Sequence, residues 1–399
     1  MKFRRFAVLS SVFACFSASA PTLAATIVVD NDFADCPQAD FNSIQAAVVA
    51  ADPGDKILVC PGVYAETVLV NKPDLRIEAQ AAPGEVVLQG TPAQEVGFRL
   101  LNTTGVLLQG FTVRGFRAAN IRIESSSGNT SSGNTVRKNI STLLVGPGQS
   151  SIHVFNSSAN LVEQNTAFAN CSTCNGISVN GAGSTENMIR HNETFLNGIA
   201  GVQTSASGPR NVLFGNRSYR NAIGIRNIMA SDGNVIENNY VFLNVAGTGS
   251  PFVFGGIIIG ASTNVIVRNN RTERNGAFGV RLQNGAVNNL IEKNEVFENS
   301  EDGVLLQGCV VNQNGVTICA AVTTNTVQLN LIRRNHRDGI RVGDQLAADN
   351  TIERNVIRES GEHDAHDDSV GPGTGGTANF WIENKCETEN RPELCKNPF

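Results

Sequence analysis

Apolar residues in this chain come in short runs, and asparagine punctuates them at fixed intervals. Asn160, Asn165 and Asn170 stand five apart, and Gly176-Ile177 follows. The spacing returns at Asn187, Asn192 and Asn197. It returns at Asn211, Asn216 and Asn221 before Gly224-Ile225, and at Asn234, Asn239 and Asn244. Asn289, Asn294 and Asn299 precede Gly303-Val304, and Asn325, Asn330 and Asn335 precede Gly339-Ile340. Asn264 and Asn269 keep the first step, with Arg274 in third place beside Asn275; Asn350 and Asn355 keep it and Ser360 ends the series. With an earlier copy at Asn134 and Asn139, the starts lie 26, 27, 24, 23, 30, 25, 36 and 25 residues apart. A period in the twenties with variable insertions marks a solenoid.

Two residues after each starting Asn sits Val162, Ile189, Leu213, Ile236, Ile266, Ile291, Val327 or Ile352, and after each Gly comes an alternating run such as Ile177-Ser178-Val179. These pieces have strand size and a period of two. Three short strands per turn predict a parallel β-helix. Asn tolerates the left-handed conformation better than other non-glycine residues, so each Asn is expected to make a corner. Stacked about 4.8 Å apart, the amides are expected to bond in a ladder that satisfies them in the interior.

The two ends depart from the repeat. Ile44, Ala47, Val48 and Ala51 have helical spacing before Pro53-Gly54, which predicts a short amphipathic helix plugging the first coil. The tail from Gly371, with Trp381 and two cysteines, is expected to close the other end. Met1 to Ala25 reads as a secretory signal: Lys2, Arg4 and Arg5, then apolar Phe6 to Phe16, then Thr22-Leu23-Ala24-Ala25. A lipid anchor at Cys15 suits Phe13 and Phe16 poorly. The expected organisation is a signal at 1–25, a β-helix with its N-terminal cap at 26–370, and a capping tail at 371–399. Secretion or a periplasmic location follows, with no transmembrane segment. Eight cysteines remain after cleavage. They fall into local pairs, read as disulfides: Cys36 with Cys60, Cys171 with Cys174, Cys309 with Cys319, and Cys386 with Cys395. Cys171-Ser-Thr-Cys174 also fits a redox or zinc motif, but without a second close pair. A net charge of −5 argues against nucleic acid as partner.

FNSIQAAVVAADPGDKILVCPGVYAETVLVNK, residues 41 to 72, resembles the start of exported right-handed parallel β-helix proteins of the pectin-lyase-like superfamily. The Asn repeats look like the carbohydrate-binding and sugar-hydrolase repeats of the NosD-like group. The resemblance implies an all-β, single-stranded right-handed parallel β-helix. It leaves activity open among lyases, hydrolases, esterases, epimerases and adhesins. Of the polygalacturonase motifs only an Asp-Asp occurs, at Asp367-Asp368. The pectin methylesterase Gln-Asp and Asp-Phe pairs and the calcium-binding Asp clusters of pectate lyases are not evident. Three Met and five His do not suggest a copper carrier.

The strand after Gly carries the candidate chemistry. Its inward residues are Ile177, Val202, Ile225, Ile257, Val280, Val304 and Ile340; the next residue faces out. That outward column reads Arg122, His153, Ser178, Gln203, Arg226, Ile258, Arg281, Leu305 and Arg341, with Asn180, Gln283 and Gln307 two further on. A solvent-facing polar stripe along a rod suits a linear polysaccharide, and arginine suits carboxylates, so an acidic polysaccharide is the expected partner. His153, Arg226 and Arg281 are the catalytic candidates, for neutralising a uronate and moving its proton. Arg122, Ser178, Gln203, Gln283, Gln307 and Arg341 are the substrate-binding candidates. The same residues read equally as a solvated face, and a non-enzymatic surface, adhesion or spacer protein is the alternative. An aromatic column, Phe168, Phe195, Tyr219, Phe242 and Phe297 with Thr272 interrupting, reads as a corner ladder or a sugar platform. His363-Asp364-Ala365-His366-Asp367-Asp368 is dense in metal-capable residues and resembles the His-Asp pairing of alginate epimerases without their proline. It is placed in a solvated loop beyond the last repeat. No cofactor or metal site is expected, calcium having no dedicated motif, and a monomer is expected.

Overall fold

The computed structural model describes residues 24–399 apart from 83, 127, 246–254, 312–314 and 397–399. The proposed signal lies almost wholly outside these residues. Each turn of chain contributes one strand to each of three parallel sheets, as in Leu161–Glu163, Thr166–Phe168 and Asn175–Asn180. The sheets hold 14, 12 and 12 strands in strict turn order, so the rod is roughly 60 Å long at about 4.8 Å per turn. Inward strand residues are mostly β-branched or Leu, although the second sheet also turns Ser141, Ala167 and Ser218 inside. Val162, Ile189, Leu213, Ile236, Val267 and Ile291 of the first sheet stack with 0–1% exposure. Such a core has no end-to-end contacts. Its stability is a sum over adjacent turns.

The asparagines form three buried columns. Asn216 Oδ1 accepts from Asn192 N and Nδ2, both at 3.0 Å. Its own Nδ2 donates to Ile189 O at 2.8 Å and to Asn239 Oδ1 at 3.0 Å. Every amide valence is filled, which is how so many buried amides are tolerated. Two expectations need correction. The left-handed residue is the one before each ladder Asn, for example Gln164 (φ 55), His191 (φ 52), Asn238 (φ 56) and Lys293 (φ 54). The Asn itself supplies hydrogen bonds to the corner. Secondly, Asn264 and Asn269 are these left-handed residues (φ 57 and 55). The ladder passes through Asn270 and Asn275, with Val265 in the first column. The buried residue of that turn is accordingly Val267, with Ile266 half-buried.

The 36-residue spacing comes from an antiparallel hairpin, Cys309–Val311 with Thr317–Cys319, that stands outside the three sheets. Disulfides join Cys36–Cys60, Cys171–Cys174, Cys309–Cys319 and Cys386–Cys395. The helix α1, Ile44–Ala50, buries Ile44, Ala47 and Val48 against the first-turn strands. The Glu66 carboxylate receives Ile44 N at 2.8 Å and Gln45 N at 3.0 Å, and Lys72 Nζ donates to Val49 O and Ala51 O at 2.6 Å. Acid at the start and base at the end match the helix dipole. At the other end the His-Asp segment is not in a loop past the repeats. Ala365–Asp367 is the last strand of the third sheet, paired with Ile340–Val342. The first sheet runs further still, to Phe380–Ile382.

Candidate functional site

The longest strands, six residues over most of the rod, belong to the third sheet. Their pairing aligns Arg99, Arg122, His153, Ser178, Gln203 and Arg226. The column continues through Ile258, Arg281, Leu305, Arg341 and His366. Asn180, Gln283 and Gln307 lie in a parallel column on the same face. The face is far less exposed than a solvated stripe. Ser178, Gln203 and Arg281 are buried and Arg226 is half-buried. Side chains of adjacent turns cover one another: Arg226 donates to Gln203 Oε1 at 3.3 Å, and Arg281 donates to Gln307 Oε1 at 2.9 Å while its guanidinium lies 5.4 Å over the Phe278 ring. Ile258 joins Ile199, Ala200, Ile223, Ile228, Ala277 and Phe278 in a second apolar cluster. Burial lowers both Arg226 and Arg281 to about 10, so each stays charged at neutral pH.

The three catalytic candidates do not meet. His153 is five turns from Arg281, about 24 Å along the axis, and Arg226 is two turns away. His153 is pushed down to about 3, by burial and then by the charge of Arg122. The charged and hydrogen-bonding groups acting on it are that cation and the Asn180 amide, which leaves it a weak base. Arg122 is committed to Glu124 at 2.6 Å.

Chemistry instead gathers near the C-terminal end of the same sheet. Phe278, Arg281, Glu301, Asp302, Leu305, Gln307, Arg337, Arg341 and Gly343 line one cleft of about 160 Å³. Asp302 and Asp338 occupy the corner just before Gly303 and Gly339 on neighbouring turns, and both are fully buried. Arg337 Nε lies 3.6 Å from Asp302 Oδ1 and 3.9 Å from Asp338 Oδ2, both longer than hydrogen bonds. Arg341 is held more tightly, at 3.0 Å to Asp338 Oδ2 and 2.9 Å to Asp368 Oδ2. Burial pushes the Asp302 carboxyl up to about 6, against Arg337 and with help from Asp338. Burial would raise Asp338 too, but His366 and Arg341 outweigh it and hold that carboxyl below the usual range. His366 is raised, chiefly by Asp338.

Residues 85–250 match the family described as periplasmic copper-binding protein (NosD), and residues 255–373 match the right-handed β-helix region. Solved structures agree over nearly the whole rod. The Azotobacter vinelandii mannuronan C-5 epimerase AlgE6 A-module superposes with a TM-score of 0.68 at 16% identity, over 88% of this chain and 95% of that one. The chain folds as a right-handed parallel β-helix. The catalytic unit of a GH87 α-1,3-glucanase from Streptomyces thermodiastaticus matches this β-helix at 0.64 and 17%, over 96% and 72%. The periplasmic alginate epimerase AlgG matches at 0.51 and 14%, over 77% of each chain. No curated protein sequence matches at a significant level. Identities this low establish the fold, and the site must argue for itself.

Sequence reading passed over Asp302, Arg337 and Asp338. The signal was the residue before each corner glycine, which is Asn, Ala, Ile, Gly or Phe in the turns from Gly176 to Gly279 and Asp only at Gly303 and Gly339. The aromatic column of the β-helix stacks Phe168, Phe195, Tyr219 and Phe242 at 4.8, 5.1 and 4.8 Å with interplanar angles of 10–17°. The ring faces are already covered by one another, so the column is a ladder; a sugar platform needs free faces. The interrupting residue is Glu273, since Thr272 points inward and is buried.

Proposed function

We propose that the third-sheet face binds a uronic-acid polysaccharide and that the cleft at Arg281, Asp302 and Arg337 moves the proton at C5 of a bound uronate. The observation that carries this reading is one cleft holding two guanidiniums with donors to spare beside a buried carboxyl. Arg281 Nε is buried without a hydrogen-bond partner among the described residues, and Arg337 sits at ion-pair distance only. Neutralising a uronate carboxylate lowers the cost of removing the neighbouring C5 proton, because the charge that develops goes onto the carboxylate oxygens. Arg281 and Arg337 take that charge. Asp302 takes the proton from C5. From the resulting anion two outcomes balance: expulsion of the C4 oxygen substituent gives an unsaturated uronate, and return of a proton to the opposite face gives the C5 epimer. Arg226 and Gln203 extend the same face for neighbouring sugars. The reading also makes α1 and the Cys386–Cys395 tail the end caps that block exposed strand edges, and residues 1–25 an export signal. It is supported by the polysaccharide-active names among the structural neighbours.

Incubating the purified protein with alginate or polygalacturonate in deuterated buffer tests it. Either deuterium at C5, from epimerisation, or growth of the unsaturated-uronate absorbance, from elimination (which leaves no hydrogen at C5), is expected. Whichever signal appears should vanish in Asp302→Asn and fall strongly in Arg337→Ala. Absence of both signals on every uronate polymer, or turnover of a neutral α-1,3-glucan instead, contradicts the proposal.

A further inference from the structure

We infer that Asp338, His363 and His366 form a binding site for one divalent transition-metal ion of the zinc and cobalt class. Their candidate ligand atoms all lie within 4.8 Å of one another. His363 Nδ1 is 3.3 Å from Asp338 Oδ1, and His366 Nδ1 is 3.2 Å from Asp338 Oδ2. Ligands about 2.0–2.1 Å from a tetrahedral ion stand roughly 3.4 Å apart, so both edges already have the required length. The two rings are edge-to-face at 82°, with centroids 5.1 Å apart.

Two further observations point to an ion. His366 Nδ1 is buried and makes no well-directed hydrogen bond to any described residue, although Asp338 is close. The other nitrogen, Nε2, lies 2.9 Å from Asp368 Oδ1. A carboxylate on the far nitrogen of a ligating imidazole fixes its tautomer and raises its basicity, as in metal sites generally. Asp368 is a positioning residue in this account. The fold supplies the rigidity: Asp338 precedes the corner Gly339, and His366 is on the last strand of the third sheet, in register with Arg341. Arg341 takes one position on Asp338 Oδ2 at 3.0 Å. A carboxylate has about four lone-pair sites, so an ion is not displaced by it. Two imidazoles with one carboxylate disfavour calcium and magnesium, which take oxygen ligands, and favour the borderline ions.

The inference does not depend on the polysaccharide reading, since its readout is ion binding. Tag-free protein stripped with a chelator would be titrated calorimetrically with Zn²⁺ and Co²⁺, with the visible absorption of Co²⁺ as a second signal. One ion per chain is expected. His363→Ala, whose ring is partly exposed and least able to disturb folding, should lose at least tenfold to a hundredfold in affinity, and Asp368→Asn roughly 10–100-fold. His336→Ala, an exposed histidine outside the cluster, should bind as the parent does. Zn²⁺ should raise the melting temperature of the parent and not of His363→Ala. No stoichiometric binding by the parent, or equal affinity in parent and His363→Ala, overturns the inference and makes the cluster a hydrogen-bond network only.

Discussion

Replacing Asn216 by Leu deletes four hydrogen bonds and leaves a shape of similar size in the middle of a column. Asn192 N and one hydrogen of Asn192 Nδ2 lose their acceptor, Asn216 Oδ1. Ile189 O and Asn239 Oδ1 lose a donor, but Asn239 Oδ1 keeps the bond from Asn216 N at 2.9 Å. Two buried donors without acceptors, at about 1–3 kcal/mol each, set a loss of roughly 2–6 kcal/mol. The chain contains its own interrupted column for comparison. Where Val265 stands in place of an Asn, Asn234 Nδ2 turns to Asn227 Oδ1 at 3.1 Å and Ser231 O at 3.2 Å. Asn192, the residue left without its acceptor, has only Val162 O as another described partner for its Nδ2, so the loss should appear in full. Urea denaturation followed by far-ultraviolet circular dichroism measures it. A change within about 0.5 kcal/mol, the range of ordinary surface substitutions, would refute the claim that the amide ladder stabilises the corners.

Other consequences are open to direct measurement. Arg281→Ala should weaken polyuronate binding about 10–150-fold, a charged hydrogen bond being worth about 1.5–3 kcal/mol, and should also lower stability because Arg281 is buried; unchanged affinity in a folded variant would remove it from the site. Polyuronate affinity should fall as salt rises, and salt-independent binding would argue against recognition by guanidiniums. Removing the Cys36–Cys60 disulfide should cost about 3–4 kcal/mol in the chain-entropy model, read as a lower denaturation midpoint, and peptide mapping without reduction should recover all four pairs. Glu78 is half-buried, which would raise it, but Lys56 and Arg76 hold its carboxyl below the usual value. A depressed carboxyl stabilises the fold above its unfolded pKa and stops doing so as pH falls through the folded one. Glu78→Gln should therefore flatten the acid side of a melting-temperature profile, and an unaltered acid limb would contradict the ion-pair account.

The rod was legible because its signals are local and repeated. Spacing of Asn and Gly, with one apolar residue at a fixed offset, determines strand size, corner and stacking together, and Ile177, Val202 and Ile225 do pair as that reading expects. Phase was legible only where neighbours agreed. Asn264 and Asn269 mimic ladder residues because Asn also suits the left-handed position one residue earlier, and only stacking on Asn239 and Asn294 selects Asn270. Burial of the outward column was not legible at all, since it depends on how side chains of successive turns cover one another. The cleft was missed for a related reason. Asp302, the adjacent pair Arg337-Asp338, and His366 come from three different turns, and the pairing of Ala365–Asp367 with Ile340–Val342 that brings His366 beside Arg341 follows from a turn whose Asn pattern has already decayed to Ser360.

The most direct test of the central claim is a crystal structure of the protein with a mannuronate or galacturonate oligosaccharide. The chain of sugars should lie along the third sheet, with one carboxylate within hydrogen-bond distance of Arg281 and Arg337 and its C5 facing Asp302. Sugars bound on the first or second sheet, or a third-sheet complex whose carboxylates all point away from that cleft, would contradict it.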